Sequence, residues 1–213
     1  VFVGGCTVEA AEGVCNSEGD LQLDVLEGLA ALVDKSLLRQ ESQPDGAPRF
    51  WMLETIREYA LDQLKANGEI EAVQRHHATF FLSFAERVQE EFHGPKQVVW
   101  MDRLEREHDN MRAVLRWSLE TGEPETALRV GAALWWFWER RGHLEEGQRW
   151  LEEALSRGVG APALIRAKAL HGAGALARDR GDYERARAFH EESLALRREL
   201  GDKHMIATSL NNL

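Results

Sequence analysis

Gly142-His-Leu-Glu-Glu-Gly-Gln-Arg-Trp-Leu-Glu-Glu-Ala-Leu155 recurs thirty-nine residues later as Gly181-Asp-Tyr-Glu-Arg-Ala-Arg-Ala-Phe-His-Glu-Glu-Ser-Leu194. Gly142 aligns with Gly181, Leu144 with Tyr183, Glu145 with Glu184, Gly147 with Ala186, Arg149 with Ala188 and Leu155 with Leu194, and the Glu-Glu pair is kept. Nearly all of these pairs agree in type. A period near forty marks stacked helical hairpins, each of which buries its apolar face only against its neighbours. Arrays of this kind usually bind rather than catalyse.

Outward from this pair the chain reads as helices over about 124–141, 143–157, 162–180 and 182–200, with one more starting near His204. Gly142, Gly158/Gly160/Pro162, Gly181 and Gly201 separate them, and such short connections imply antiparallel neighbours. Ala167/Ala207 and Leu170/Leu210 continue the repeat at forty, so a third unit opens before Leu213. Upstream, a long helix over about 69–92 ends at His93-Gly94-Pro95, and another over about 96–120 ends at Thr121-Gly122.

The amino-terminal part has a different grammar. Thr7 is a good N-cap for a short helix with Val8, Ala11 and Val14 on one face, ended by Gly13 and the polar stretch 16–20. Asp20 or Asp24 starts a second helix with Leu23, Leu26, Leu29, Ala30 and Val33 at helical spacing. Ser36–Glu41 and Arg49–Leu53 read as strands around the turn-rich segment Gln43–Pro48. A third helix follows, with Leu53, Ile56, Tyr59, Ala60 and Leu64 on one face and Asn67-Gly68 as its stop. Helix, helix, hairpin is the order of a winged helix-turn-helix. The expectation is a mainly α chain: a winged helix over 1–67 with its first helix cut away, a long helical pair over 68–121, and a repeat solenoid over 122–213.

The 213 residues, 44% hydrophobic and 29% charged, suit a packed soluble domain or two small ones. The longest apolar run, Val130 to Trp138, is far short of a membrane span. Cys6 and Cys15 form no metal or redox motif, and nothing at the start resembles a secretion signal, so the cytoplasm is the expected compartment. The net charge of −10 falls within residues 1–92, which hold seven Lys/Arg against seventeen Asp/Glu.

Ala-Leu-His-Gly-Ala-Gly-Ala-Leu-Ala (169–177) with Gly-Asp-Tyr-Glu-Arg-Ala (181–186) resembles a tetratricopeptide repeat, in which Gly174 and Ala186 would supply the small residues at the helix crossing. One repeat earlier the equivalent pair is Trp135 and Gly147, a large residue expected to face the smallest one. A second resemblance rests on four segments: 2–15 (Phe-Val-Gly-Gly-Cys-Thr-Val-Glu-Ala-Ala-Glu-Gly-Val-Cys), 29–38 (Leu-Ala-Ala-Leu-Val-Asp-Lys-Ser-Leu-Leu), 49–60 (Arg-Phe-Trp-Met-Leu-Glu-Thr-Ile-Arg-Glu-Tyr-Ala) and 107–113 (Glu-His-Asp-Asn-Met-Arg-Ala). Together they resemble the region that follows the nucleotide-binding domain in bacterial signal-transducing ATPases with numerous domains (STAND), including LuxR- and AfsR-type transcriptional regulators. The resemblance implies a winged helix next to an ATPase core, and a repeat array acting as sensor or scaffold. No Gly-x-x-x-x-Gly-Lys-[Ser/Thr] occurs, so ATP and magnesium are expected only in a domain upstream of these residues.

Candidate catalytic residues are few. His76-His77 lacks the His-Glu-x-x-His spacing of a zinc site, and Glu107-His108-Asp109 reads as a solvated helix face or a cap-like contact. No Gly-x-Ser-x-Gly elbow is present. No enzyme, cofactor or metal is expected. Of the four aromatics 135–138, two or three belong in the core, because consecutive helical positions point around the axis. The repeat phase leaves Trp136 on the concave face with Arg129, Glu139 and Arg140, and places Lys168, His171, Ala175, Arg178 and Asp179 one repeat on. This stripe is either an ordinary solvated face or a groove for a protein or peptide partner with acidic groups, which arginine forks would hold.

Winged helices commonly read duplex DNA. Here the second helix carries Asp24, Glu27 and Asp34, with Lys35 only at its end, and the wing loop offers Arg49 alone, so phosphate is repelled and DNA binding is not expected. The winged helix is expected to pack in cis against the upstream nucleotide-binding domain. Oligomers are compatible with this reading.

Overall fold

The computed structural model describes residues 1–17, 19, 24–43, 46–92, 94–201 and 203–211. The alternative helix start at Asp20, the apolar Leu23, Pro44-Asp45 of the turn, His93 and the chain end at Leu213 lie outside the described residues. The chain divides into two compact units, residues 1–83 with 106–113 and residues 84–105 with 114–213.

In the first unit Thr7 caps α1 (Val8–Cys15): its hydroxyl accepts from the Ala10 N–H at 3.1 Å, and Ala10, Ala11 and Val14 turn inward. Gly13 lets α1 approach Phe80, whose ring atoms would lie 2.5 Å from any Cβ at that position. Asp24 caps α2 (Val25–Asp34) by accepting from the Glu27 N–H at 3.1 Å. Of the apolar face expected on α2, Leu29 alone is buried, while Leu26 and Ala30 face solvent.

β2 (Arg39–Ser42) and β3 (Pro48–Trp51) form the expected hairpin, joined by an unexpected strand, β1 (Cys6–Thr7), in the order β1-β3-β2. Cys6 and Gln40 flank Phe50 from either side in antiparallel register. β2 starts later than Ser36 because Ser36 has a φ of 60°, which turns the chain rather than extending it. All four residues of β2 are exposed, and alternating charges mark it as a protected edge.

α3 (Glu54–Ala66) has no buried residue. Leu53 and Tyr59, expected on its inner face, are exposed; Ile56, Ala60, Leu61 and Leu64 are half-buried. A groove of about 390 Å³ runs between Ala60, Leu61 and Leu64 of α3 and Phe2, Leu38 and Phe50. The first part of α4 (Ile70–Glu91) closes this unit's core with Ala78, Phe81 and Leu82, and the rings of Phe2, His77 and Phe81 pack edge to face.

The single helix expected over 96–120 is two, α5 (Gln97–Arg106) and α6 (His108–Glu120). The break falls at Glu107. Glu107 and His108 are buried, so the solvated-face reading fails for both and holds only for the exposed Asp109. Glu107 accepts two bonds from Arg49 and one from Asn110, a demand that an uninterrupted surface helix would not place on a carboxylate.

The second unit contains α7 (Pro124–Arg141), α8 (Leu144–Arg157), α9 (Ala163–Asp179), α10 (Tyr183–Leu200) and α11 (Lys203–Asn211). Gly142 and Gly201 end α7 and α10 with φ of 80° and 71°, the left-handed conformation that glycine adopts without a Cβ clash. α8 buries Gly147, Gln148, Leu151, Ala154 and Leu155, an i, i+4, i+7/8 stripe. α7 and α9 lie side by side, with α8 packed against both and α10 against α9.

Large-to-small compensation is present, but between other partners than the repeat phase suggested. Gly147 faces Trp138 and Leu176 rather than Trp135; Trp135 lies on Gly172, and Gly174 faces His190. The repeat offset aligns positions along the helices without fixing which neighbour each rotation meets. Phe137 and Trp138 are core residues, as expected, and Trp135 and Trp136 are half-buried.

Candidate functional site

The last turns of α7 and α9 bring together five of the eight residues singled out in the sequence. Glu139 sits between two guanidiniums: Arg140 Nε is 3.8 Å from one carboxylate oxygen and Arg178 Nη2 is 3.5 Å from the other. Arg178 also donates through Nε to Asp179 at 2.9 Å. The Arg140 guanidinium lies over the Trp136 ring, 5.1 Å from its centroid, and that ring rests 3.6 Å from the Phe92 ring. Burial and a hydrogen bond to Asp179 push the Glu139 carboxyl above its ordinary range, against the opposing pull of Arg140 and Arg178. The result is an aromatic step beside two exposed cations and a half-buried acid.

The other three candidates lie elsewhere. Arg129 forms a two-pronged pair with Glu86 of α4, both bonds 2.9 Å, so its donors are committed within the protein. Lys168 is exposed on α9. His171 turns inward, edge-on to Trp135 at 5.4 Å and 5.7 Å from His190, and Ala175 is buried rather than exposed. Burial, then the charges of Arg197, His190 and Arg178, lower the His171 pKa to about 4. Burial first, then Arg178 and Arg197, lowers that of His190. Ala175 is therefore a core residue, and His171 is half-buried and turned toward Trp135 and His190. His190 went unnoticed in the sequence; the glycine it lies against, Gly174, was the available signal.

In the first unit Arg49 is spent internally, whereas Arg39 at the start of β2 is exposed and lies over the Trp51 ring. Arg49 is buried on the central strand and donates to the carbonyls of Gly4, Gly5 and Arg106 and to Glu107. Asn110 joins the same network, donating to Gly5 O at 3.0 Å and lying 3.2 Å from His77 Nε2. Burial lowers the His77 pKa to about 4. His76 instead meets the Ser17 hydroxyl at 2.8 Å, so the two neighbours point to different surroundings. The start of α2, where a recognition helix would meet bases, carries Asp24 and Glu27. These residues do not fit a nucleotide phosphate either: the sheet is antiparallel, and β1 runs straight into a helix whose first turn holds Glu9.

Among the described residues, no helix is long and apolar enough to cross a membrane. Residues 1–65 match the winged helix-turn-helix domain family, and residues 165–213 match the tetratricopeptide repeat family. The chain is 34% identical over 173 residues to proteins of Mycobacterium bovis and of two strains of Mycobacterium tuberculosis, whose names assign them provisionally to the HTH-type transcriptional regulators. The match covers 79% of this chain and 19% of each relative, so the chain spans about a fifth of their length. It is a mainly helical protein in which a winged helix-turn-helix precedes tetratricopeptide-type helices, similar to part of much longer regulators.

Proposed function

We propose that these residues form the non-catalytic regulatory arm of a bacterial STAND-type transcriptional regulator acting in the cytoplasm. The repeats bind a protein or peptide partner, and the winged helix relays that event to a nucleotide-binding domain elsewhere in the longer polypeptide. The observation that carries the reading is the cluster on α7 and α9: Arg140 and Arg178 present exposed guanidiniums held in place by Trp136, Glu139 and Asp179. A purely solvated face has no need to orient its cations. A partner there alters transcription only if it binds two arrangements of the regulator with different affinity.

The test is Arg140→Glu with Arg178→Glu in the full-length protein in its host. The double variant should fold and accumulate normally yet reproduce the transcript changes of a deletion strain. Transcripts matching the wild type would overturn the reading.

A second reading, duplex binding by the winged helix, is favoured by the family match over residues 1–65 and by the relatives' names. The buried Arg49 and the acidic start of α2 speak for intramolecular packing instead. Salt-dependent, micromolar binding of duplex DNA by this chain would reverse that preference.

A further inference from the structure

Glu139 touches both arginines of the α7–α9 cluster without satisfying either. Its two contacts, 3.8 Å and 3.5 Å, are ion-pair distances longer than a charge-assisted hydrogen bond. The Glu139 side chain is only 18% exposed, whereas those of Arg140 and Arg178 are 61% and 44% exposed. The cations therefore face outward, with only Arg178 Nε committed among the described residues, to Asp179, and the acid between them is set back. The two oxygens of one carboxylate already span the gap between the guanidiniums, which shows that the gap accepts a carboxylate. Beside it, Trp136 on Phe92 offers an apolar face.

We propose that Glu139 is a resident stand-in for a partner's carboxylate. An Asp or Glu side chain of an acidic, partly apolar partner segment docks on Arg140 and Arg178 beside Trp136, and Glu139 takes up one proton from solvent as it does so. This rests on the reading that the repeats bind a protein partner.

The electrostatic argument is direct. A second carboxylate brought to the arginines meets Glu139, and two carboxylates in contact do not both stay ionised cheaply. The charged groups acting on Glu139 among the described residues are Arg140 on its own helix and Arg178 and Asp179 on α9. Burial first, and then the neighbouring Asp179 carboxylate, already favour a proton on Glu139. Protonation removes the repulsion, leaves Arg140 and the outer Nη edge of Arg178 to the incoming group while Arg178 Nε stays on Asp179, and keeps the net charge of the occupied site unchanged. Binding and proton uptake are thereby linked, so acidification tightens the complex.

The test uses the whole 213-residue chain and a rhodamine-labelled, N-acetylated, C-amidated peptide of alternating Glu and Leu, read by fluorescence anisotropy. From neutral pH down to about pH 5.5, above the range where the peptide's own acids titrate, affinity should rise. Calorimetry in buffers of different ionisation enthalpy should show proton uptake. Glu139→Gln, which removes the stand-in charge and keeps its shape, should bind roughly tenfold tighter at neutral pH and lose the pH dependence. Arg140→Gln with Arg178→Gln should lose binding. An unchanged or weaker affinity in Glu139→Gln would overturn the proposal, as would equal binding of a Lys-Leu peptide. Binding only of a peptide with a free C-terminal carboxylate would overturn the side-chain source. No acidic-peptide binding at any pH would also sink it, while the transcript test on the full-length protein would still decide the repeat-docking reading.

Discussion

Arg49 on the central strand and Glu107 at the break between α5 and α6 form a buried, two-pronged ion pair with N–O distances of 2.5 and 3.2 Å. Both side chains are only 9% exposed, and the remaining Arg49 donors go to backbone carbonyls. Such a pair need not add net stability over an apolar replacement, but breaking it strands a charge in a low-dielectric interior. Glu107→Gln or Arg49→Met should each cost about 3–5 kcal/mol in urea unfolding of the winged unit. Arg49→Met with Glu107→Leu should recover much of that loss. Additive losses in the double variant would show that the pair acts through something other than mutual compensation.

The same pair explains what was legible in the sequence. Helix ends at Gly142 and Gly201 could be read because a local residue, glycine with positive φ, sets them. The break at Glu107 could not, because its cause lies 58 residues away in the chain. β1 escaped because two residues carry no periodicity. In the candidate site, Trp136, Glu139, Arg140, Arg178 and Asp179 follow from repeat phase alone. Arg129 fits the same phase but is claimed by Glu86 from α4, a helix outside the legible repeat. His171 was lost to rotation of α9, which turns it toward Trp135.

Gly147 is where α8 crosses Trp138. A Cβ there would lie 2.5 Å from the indole and 2.9 Å from Leu176. Helix propensity favours alanine by about 1 kcal/mol, but overpacking a well-filled core costs about 1–3 kcal/mol. Gly147→Ala should therefore lower the urea midpoint. Gly160→Ala, at a position with no heavy atom within 4 Å of the added Cβ, should leave it nearly unchanged. Equal midpoints for the two variants would contradict the close crossing.

Acid should loosen the repeats through the buried imidazole of His190 and the half-buried one of His171. His171 Nδ1 and both ring nitrogens of His190 are buried and lack a hydrogen-bond partner among the described residues, so no acceptor awaits a second proton at these atoms. His171 titrates near 4 in the fold against about 6.5 when unfolded. Between those values the unfolded chain binds the proton and the native chain does not, so stability falls as pH drops from about 6.5 toward 4 and stops falling below it. The slope from one such group is at most about 1.4 kcal/mol per pH unit. His77 in the winged unit adds the same sign over the same window. Thermal melts of His171→Phe should show a shallower acid loss than wild type, whatever the variant's stability at neutral pH. An identical slope would mean that His171 already carries its proton in the folded protein.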